Sequence, residues 1–185
     1  MNAFFARLLV MLLLASAAVP AAAAGSPADA LRDKLLVTYA KIASYKITVL
    51  GSVRSNGVYV APDRYAVSTV FEGKPVKTVF AGGKYWIFNN GKWEKSDTAS
   101  DNLRFDIAGL LRNLRINHNA LVTLPNATVN GRKAGTFGYT FKNDGSRETC
   151  NYDLTTYRVM RCKTDQLTVL YSGFNASSNK VTIPK

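Results

Sequence analysis

The spacing of apolar residues changes along this chain from a helical period to a period of two, and back once. Leu31, Leu35, Tyr39 and Ile42 recur every three or four residues and form one stripe, which predicts an amphipathic helix with that stripe buried. Ser26 is placed to cap it, Pro27 sits where a missing N–H costs nothing, and Asp29 takes the reciprocal position of a capping box. Arg32, Asp33, Lys34 and Lys41 lie off the stripe, and Ser44 ends the pattern. A second helix is expected from a cap at Ser100 or Asp101 to Arg115. Leu103, Ile107, Leu110 and Leu114 share one face there, against Arg104, Arg112 and Arg115. Gly109, inside this segment, costs about 1 kcal/mol relative to alanine and marks a place of close approach or bending.

Elsewhere the period is two. Tyr45, Ile47 and Val49 alternate with Lys46 and Thr48, as in a strand with one drier face. Asn56-Gly57 reads as a turn, followed by Val58 to Val60 and the break Ala61-Pro62-Asp63. Arg64 to Phe71 resumes as strand, Gly73 to Pro75 turns, and Val76 to Phe80 pairs back. Gly82-Gly83 then introduces Lys84 to Phe88, and Asn90-Gly91 is a hairpin signal before Lys92 to Lys95. After the second helix, strands are expected at Leu121–Leu124, Ala127–Val129, Thr136–Phe141, Arg147–Asp153, Arg158–Lys163, Leu167–Tyr171 and Lys180–Ile183, with Asn130-Gly131 a further turn. Helices do not alternate with strands, so the class is mainly β with two helices (α+β), as one strongly curved antiparallel sheet. A small closed barrel is the alternative.

One segment constrains the architecture further. Tyr85 and Ile87 project to one face of their strand while Trp86 and Phe88 project to the other. A face left in water would expose two large rings, at a cost of a few kcal/mol, so both faces need cover.

The first residues carry a different message. Met1 to Arg7 hold one positive charge, Leu8 to Ala18 are apolar apart from Ser16, Pro20 breaks the run, and Ala22 to Ala24 supply small residues. The run is short for a membrane anchor, and the layout is that of a cleaved signal peptide over residues 1–24; an uncleaved anchor is the alternative. The remaining residues, 25–185, suit one exported, soluble domain. The net charge is +12, which favours anionic surfaces, and for an exported protein lipid headgroups more than nucleic acid. Simple solubility accounts for the same excess.

Cys150 and Cys162 flank a segment that reads as two strands joined by a turn near Thr155 to Tyr157. That turn places the two opposite each other on one side of a ladder, within reach of a disulfide expected to form in an oxidising compartment. A redox-active pair is the weaker reading, since the C-x-x-C spacing is missing.

Candidate chemistry is sparse. His118 is the single histidine and has no histidine partner for a metal site or a catalytic pair. Asp63, Asp97, Asp101, Asp106, Asp144, Asp153 and Asp165 form no metal-loop pattern, and Ala81-Gly82-Gly83-Lys84 joins two strands instead of opening a helix. Neither an enzyme nor a bound cofactor or metal is expected. Asn126-Ala127-Thr128 and Asn175-Ala176-Ser177 match the glycosylation acceptor pattern, which is common by chance. The two Trp, nine Tyr and abundant Phe can all belong to a core. Together with strands apolar on both faces they favour a groove or cavity for a hydrophobic ligand.

Ala43-Ser44-Tyr45, Ala61-Pro62-Asp63-Arg64-Tyr65-Ala66-Val67 and Phe80-Ala81-Gly82-Gly83-Lys84-Tyr85-Trp86-Ile87-Phe88, in that order, resemble the LolA-like superfamily of periplasmic lipid- and lipoprotein-binding proteins. Tyr171-Ser172-Gly173-Phe174-Asn175 followed by Val181-Thr182-Ile183-Pro184 looks like its closing pair of strands. The resemblance implies an incomplete antiparallel barrel of about eleven strands, with helices as a lid over an apolar cavity. It also implies a monomeric periplasmic carrier or binder of lipid or of an acylated protein, with transient membrane or envelope-protein contact and no nucleic acid. An envelope sensor using the same curved sheet for protein recognition is the alternative. The expected lining and lid residues are Leu35, Ile47, Val49, Tyr65, Val67, Trp86, Phe88, Leu110, Leu114, Phe137, Tyr139 and Phe141, with Arg64, Arg112 and Arg115 at the mouth or headgroup. If the lid opens, Gly109 is its expected moving part; a helix that is a fixed cover, its arginines facing water, is the alternative.

Overall fold

The computed structural model describes residues 26–52, 54–96, 106–117 and 119–184. The leader over 1–24, Asp97, Ser100, Asp101, Leu103, Arg104 and His118 lie outside the described residues. The first helix, α1, runs Pro27–Tyr39. Ser26 caps it: its Oγ accepts from the Asp29 N–H at 3.2 Å and donates to Asp29 Oδ2 at 2.9 Å. The helix ends a turn before the apolar stripe does, and Ile42 is buried just beyond it.

The strands are β1 (Ser44–Leu50), β2 (Ser55–Val60), β3 (Arg64–Phe71), β4 (Lys74–Ala81), β5 (Lys84–Asn89) and β6 (Lys92–Ser96). After helix α2 (Ile107–Asn117) come β7 (Val122–Val129), β8 (Arg132–Thr140), β9 (Arg147–Asp153), β10 (Val159–Lys163) and β11 (Thr168–Ser172). All eleven form one antiparallel sheet in the order β6-β5-β4-β3-β2-β1-β11-β10-β9-β8-β7. The chain therefore meanders outward to β6, returns through α2 to the far edge at β7, and meanders back until β11 closes against β1. Strands β6 and β7 end the order without pairing, so the sheet is open and not a closed barrel.

The Asn-Gly signals divide according to their surroundings. Asn90-Gly91 and Asn130-Gly131 do turn, each with φ positive at both residues (49° and 80°, 51° and 75°), the conformation that two-residue hairpins require. Asn56-Gly57 does not turn: it lies inside β2, with Asn56 opposite Thr48 and Gly57 opposite Ile47. A Cβ on Gly57 would lie 2.7 Å from the Ala66 carbonyl oxygen and 3.0 Å from Val67 Cγ2, so this glycine serves the close approach of β3. The expected turn at Gly73 to Pro75 tightens to Glu72-Gly73, with Pro75 already in β4. The two short strands expected between Leu121 and Val129 are one strand with an irregularity between Leu124 and Ala127.

Lys180 to Ile183 do not form a strand. The tail is tied down instead by two asparagines. Asn175 Oδ1 accepts from the backbone N–H of Ala43 (2.7 Å) and Ser44 (3.2 Å), while Asn179 Nδ2 donates to the Gly173 carbonyl (2.7 Å) and Ser44 Oγ (3.1 Å). These bonds commit the Asn175 amide, the one in a glycosylation-type triplet, to holding the tail against the start of β1.

Helix α2 begins at Ile107 with Asp106 immediately before it, later than the expected caps. Gly109 thus lies in the first turn and not at a mid-helix bend. A Cβ there would collide with the Asp106 carboxylate, so the glycine makes room for that side chain at the helix start.

The disulfide joins Cys150 to Cys162, directly opposite in the β9–β10 ladder. Its turn is organised by Asp153, whose Oδ1 accepts from Thr155 N–H (3.0 Å), Thr156 N–H (2.7 Å) and Thr156 Oγ (2.9 Å). Those donors, the Thr156 amide foremost, hold the Asp153 carboxyl below its ordinary value.

Candidate ligand-binding site

Residues directly opposite in an antiparallel pair share a face, so the register defines two faces of the sheet. One carries Tyr45, whose hydroxyl accepts from the backbone N–H of Ile107 at 3.2 Å and so satisfies an orphan donor at the start of α2. This is the helix side. Tyr39 makes the corresponding bond from α1, accepting from Val159 N–H at 3.1 Å. Two phenols thereby fasten the helices to β1 and β10.

On the helix side the register lines up five aromatic residues across five strands: Tyr45, Tyr59, Tyr65, Phe80 and Tyr85. Tyr45 stacks on Tyr59 with centroids 4.8 Å apart, Tyr65 on Phe80 at 5.2 Å, and Phe80 meets Tyr85 at 4.9 Å. The Tyr65 and Tyr85 hydroxyls bond to each other, and the Tyr59 hydroxyl donates to the Pro62 carbonyl at 2.7 Å. Each ring presents apolar area while its polar end is satisfied.

Beside this row runs a second one, Tyr171, Ile47, Gly57, Val67, Thr78 and Ile87. Its cover falls away from the helices outward. Tyr171 and Ile47 are buried, Val67 and Thr78 are half-buried, and Ile87 is 38% exposed. Val49 and Phe80 are half-buried as well. These positions form an apolar strip, a trough only in the sense that its cover thins from beneath α1 and α2 outward over β3 to β5.

The structure brings ten of the twelve expected lining residues to this side. Leu35, Leu110 and Leu114 come from the helices and are buried. Ile47, Val49, Tyr65, Val67, Phe137 and Tyr139 share the helix-side face, and Phe141 packs on Tyr139 at 5.7 Å just beyond β8. Trp86 and Phe88 lie on the opposite face, where Phe88 meets Trp93 at 5.2 Å. The expected mouth arginines are likewise dispersed. Arg64 faces away from the helices beside Val60, and Arg112 sits on α2, mostly exposed, 3.7 Å from Asp106. Arg115 belongs to the last turn of α2, its side chain outside the described part.

Four members of the aromatic row, Tyr45, Tyr59, Phe80 and Tyr85, were missed as a set. The signal was present in the turns: a break at 61–63 pairs Tyr59 with Tyr65, and Gly82-Gly83 pairs Phe80 with Tyr85. Reading Asn56-Gly57 as a turn hid the pairing of Tyr45 with Tyr59.

The polar groups on this face are mainly phenols. Burial pushes the phenols of Tyr39 and Tyr45 above the ordinary range, and burial followed by the Asp106 charge does the same to Tyr59. They therefore stay protonated and serve as hydrogen-bonding ends of apolar rings. Glu148, Cys150 and Cys162 offer atoms within 4.8 Å of one another, but both sulfurs are spent in the disulfide and have no thiolate for a metal. Among the described residues no helix is long and apolar enough to cross a membrane.

No family model matches the sequence, and no curated protein matches it. Solved structures do resemble it. The lipoprotein LppX of Mycobacterium tuberculosis superposes with a TM-score of 0.59 at 12% identity, over 82% of this chain and 98% of that one. An uncharacterized conserved protein from Thermus thermophilus gives a TM-score of 0.53 at 10% identity, over 85% and 89%. Identity this low speaks for architecture alone. The fold is the one these two structures share.

Proposed function

We propose that this protein is an exported, periplasmic carrier or binder that holds the acyl chains of a lipid or lipoprotein on the helix side of its sheet, without catalysis. The observation that carries this reading is the apolar strip: a row of four buried tyrosines and the half-buried Phe80 running out from beneath two helices, flanked by Val49, Val67 and Ile87 whose cover diminishes outward. An acyl chain laid along it would remove half-exposed apolar surface from water, at about 25 cal/mol for each Å² buried. The related fold of a mycobacterial lipoprotein supports the reading, as do the signal-peptide pattern over 1–24 and a disulfide suited to an oxidising compartment. Entry beneath the helices would release α2 from Tyr45, because the residues there are already packed against one another.

Native mass spectrometry of protein purified without detergent, followed by lipid extraction, tests occupancy. Bound lipid, or uptake of a fluorescent acyl lipid from vesicles, is the expected result. Ile87→Asp, at an exposed position, should leave folding intact and weaken uptake several-fold. A folded protein that takes up no lipid, or an Ile87→Asp variant indistinguishable from wild type, would overturn the assignment to this trough.

The open sheet favours one second reading. Among the described residues β6 pairs only with β5, and such an edge can accept a strand from an envelope partner in a sensor. Lipid-free recovery of one stoichiometric protein partner, lost when the β6 edge is blocked by proline, would favour it.

A further inference from the structure

The face turned away from the helices has a composition of its own. Across β1 to β6 its register positions include Lys46, Arg64, Lys77, Lys84 and Lys95, and no acidic residue. The helix-side face of the same strands carries Glu94 with Lys74 and Lys92. Among the described residues the three lysines 46, 77 and 180 form no ion pair. Apolar side chains lie between the cations: Val58, Ala66 and Val79 form a floor, with Trp86, Phe88 and Trp93 beside it. Trp93 and Leu50 are each 38% exposed and Val70 60%.

The floor bottoms a shallow cleft of about 480 Å³, walled by Trp93 and by the tail residues Lys180 and Thr182, with Lys46 and Lys77 at its rim. The asparagine-anchored tail thus adds a sixth cation to this face. Lys77 also reaches over the Phe88 ring, 5.6 Å from its centroid.

We propose that this face docks the protein on an anionic phospholipid bilayer. Phosphates would sit among Lys46, Lys77 and Lys180, while Trp93 and Val70 reach the headgroup boundary. Charge complementarity selects the occupant. A face with five strand cations, a sixth from the tail and no carboxylate is attracted to a continuous negative surface, and half-exposed tryptophan beside lysine is the pairing that suits a membrane interface. Docking stands independently of the trough, since it uses the other side of the sheet.

The molecule supplies its own reporter, because its two tryptophans, Trp86 and Trp93, both lie on this face. The test uses the processed protein from the exported fraction of an expressing host and vesicles of phosphatidylethanolamine with phosphatidylglycerol, against phosphatidylcholine vesicles. Binding to the anionic vesicles alone is expected, weakening with salt. The tryptophan emission should shift to the blue and be quenched by lipids brominated near the headgroup. Each lysine near such a surface adds about five-fold to binding. The triple variant Lys46→Gln, Lys77→Gln, Lys180→Gln should therefore lose about 100-fold. The charge-matched control Lys74→Gln, Lys92→Gln, Lys133→Gln, exposed and on the helix-side face, should lose no more than a few-fold. Circular dichroism verifies that both variants fold. Equal losses in the two variants, binding without any change in tryptophan emission, or no binding to anionic vesicles at low salt would each overturn the proposal. A protein that leaves these vesicles untouched but takes up acyl lipid from detergent would defeat docking and leave the trough standing.

Discussion

The two halves of the sheet are built from the same period-two pattern but meet different fates. In the half formed by β7 to β11, Ala134 through Tyr139 are buried at every position, on both faces of β8. The helix side is filled by Phe137, Tyr139, Val159 and the disulfide. The far side is closed by a polar lattice: Asn151 Nδ2 donates to Thr136 Oγ1 at 3.0 Å, and Arg161 donates twice to Asn151 Oδ1 at 3.0 and 2.7 Å. In the half formed by β2 to β6 the rings on the helix side are buried near β1, but Lys92 to Lys95 are all exposed, and the far side carries aromatics between lysines without such a lattice. The difference teaches where stability and binding divide. The first half closes both faces of β8 with its own groups, and the second holds apolar surface in reserve.

Removing a side chain from each half is the strongest way to break that contrast. Phe137→Ala should cost about 3–5 kcal/mol, as a buried ring leaving a cavity, whereas Trp93→Ala should stay within about 0.5 kcal/mol. Equilibrium unfolding in guanidinium measures both, and similar losses would show that the halves share one core. Next in size is Cys150→Ala with Cys162→Ala. Freeing a loop with a sequence separation of 12 should cost about 3 kcal/mol on the chain-entropy estimate. Native-state hydrogen exchange should then accelerate in β9 and β10 before it does in β4 and β5.

Tyr45→Phe sharpens the comparison at the junction. It removes the acceptor for the Ile107 N–H while keeping the ring, and should cost about 1–3 kcal/mol as a buried donor is orphaned. Faster exchange across α2 with an unchanged disulfide half is the expected signature. Alkaline titration probes the same phenols together. The folded values of Tyr39, Tyr45 and Tyr59 are raised by burial above the unfolded value near 10, so the folded state binds more protons above that pH. Stability should be complete below about pH 10 and decline as pH rises further. The part of the phenolate absorbance owed to these three, read by difference against their Phe variants, should rise together with unfolding, not before it.

The smallest effect is expected at Asp153. Its carboxyl is held low by the Thr156 and Thr155 donors, so its contribution is present above the ordinary carboxylate value near pH 4 and fades as pH falls through the lower folded value. Asp153→Asn keeps an acceptor oxygen for the turn and should alter stability by no more than about 1 kcal/mol, and should flatten that acid dependence.

Much of this architecture was legible in the chain because it depends on neighbours in sequence. Ser26 and Pro27 start α1, Gly82-Gly83, Asn90-Gly91 and Asn130-Gly131 turn where expected, and the Cys150–Cys162 hairpin follows from a turn between its cysteines. Period two determined that Tyr85 and Ile87 oppose Trp86 and Phe88. It could not say which pair faces the helices, because both are apolar and a strand apolar on both sides carries no parity. That choice was tertiary: Tyr45 anchors α2, and the ladder from β1 to β5 carries its face outward to Tyr85. The same holds for Asn56-Gly57, a turn by its local chemistry that the close approach of β3 keeps extended. It holds too for the tail, whose alternating Val181 and Ile183 imitate a strand but find no free edge beside β1, since β2 and β11 already occupy both sides.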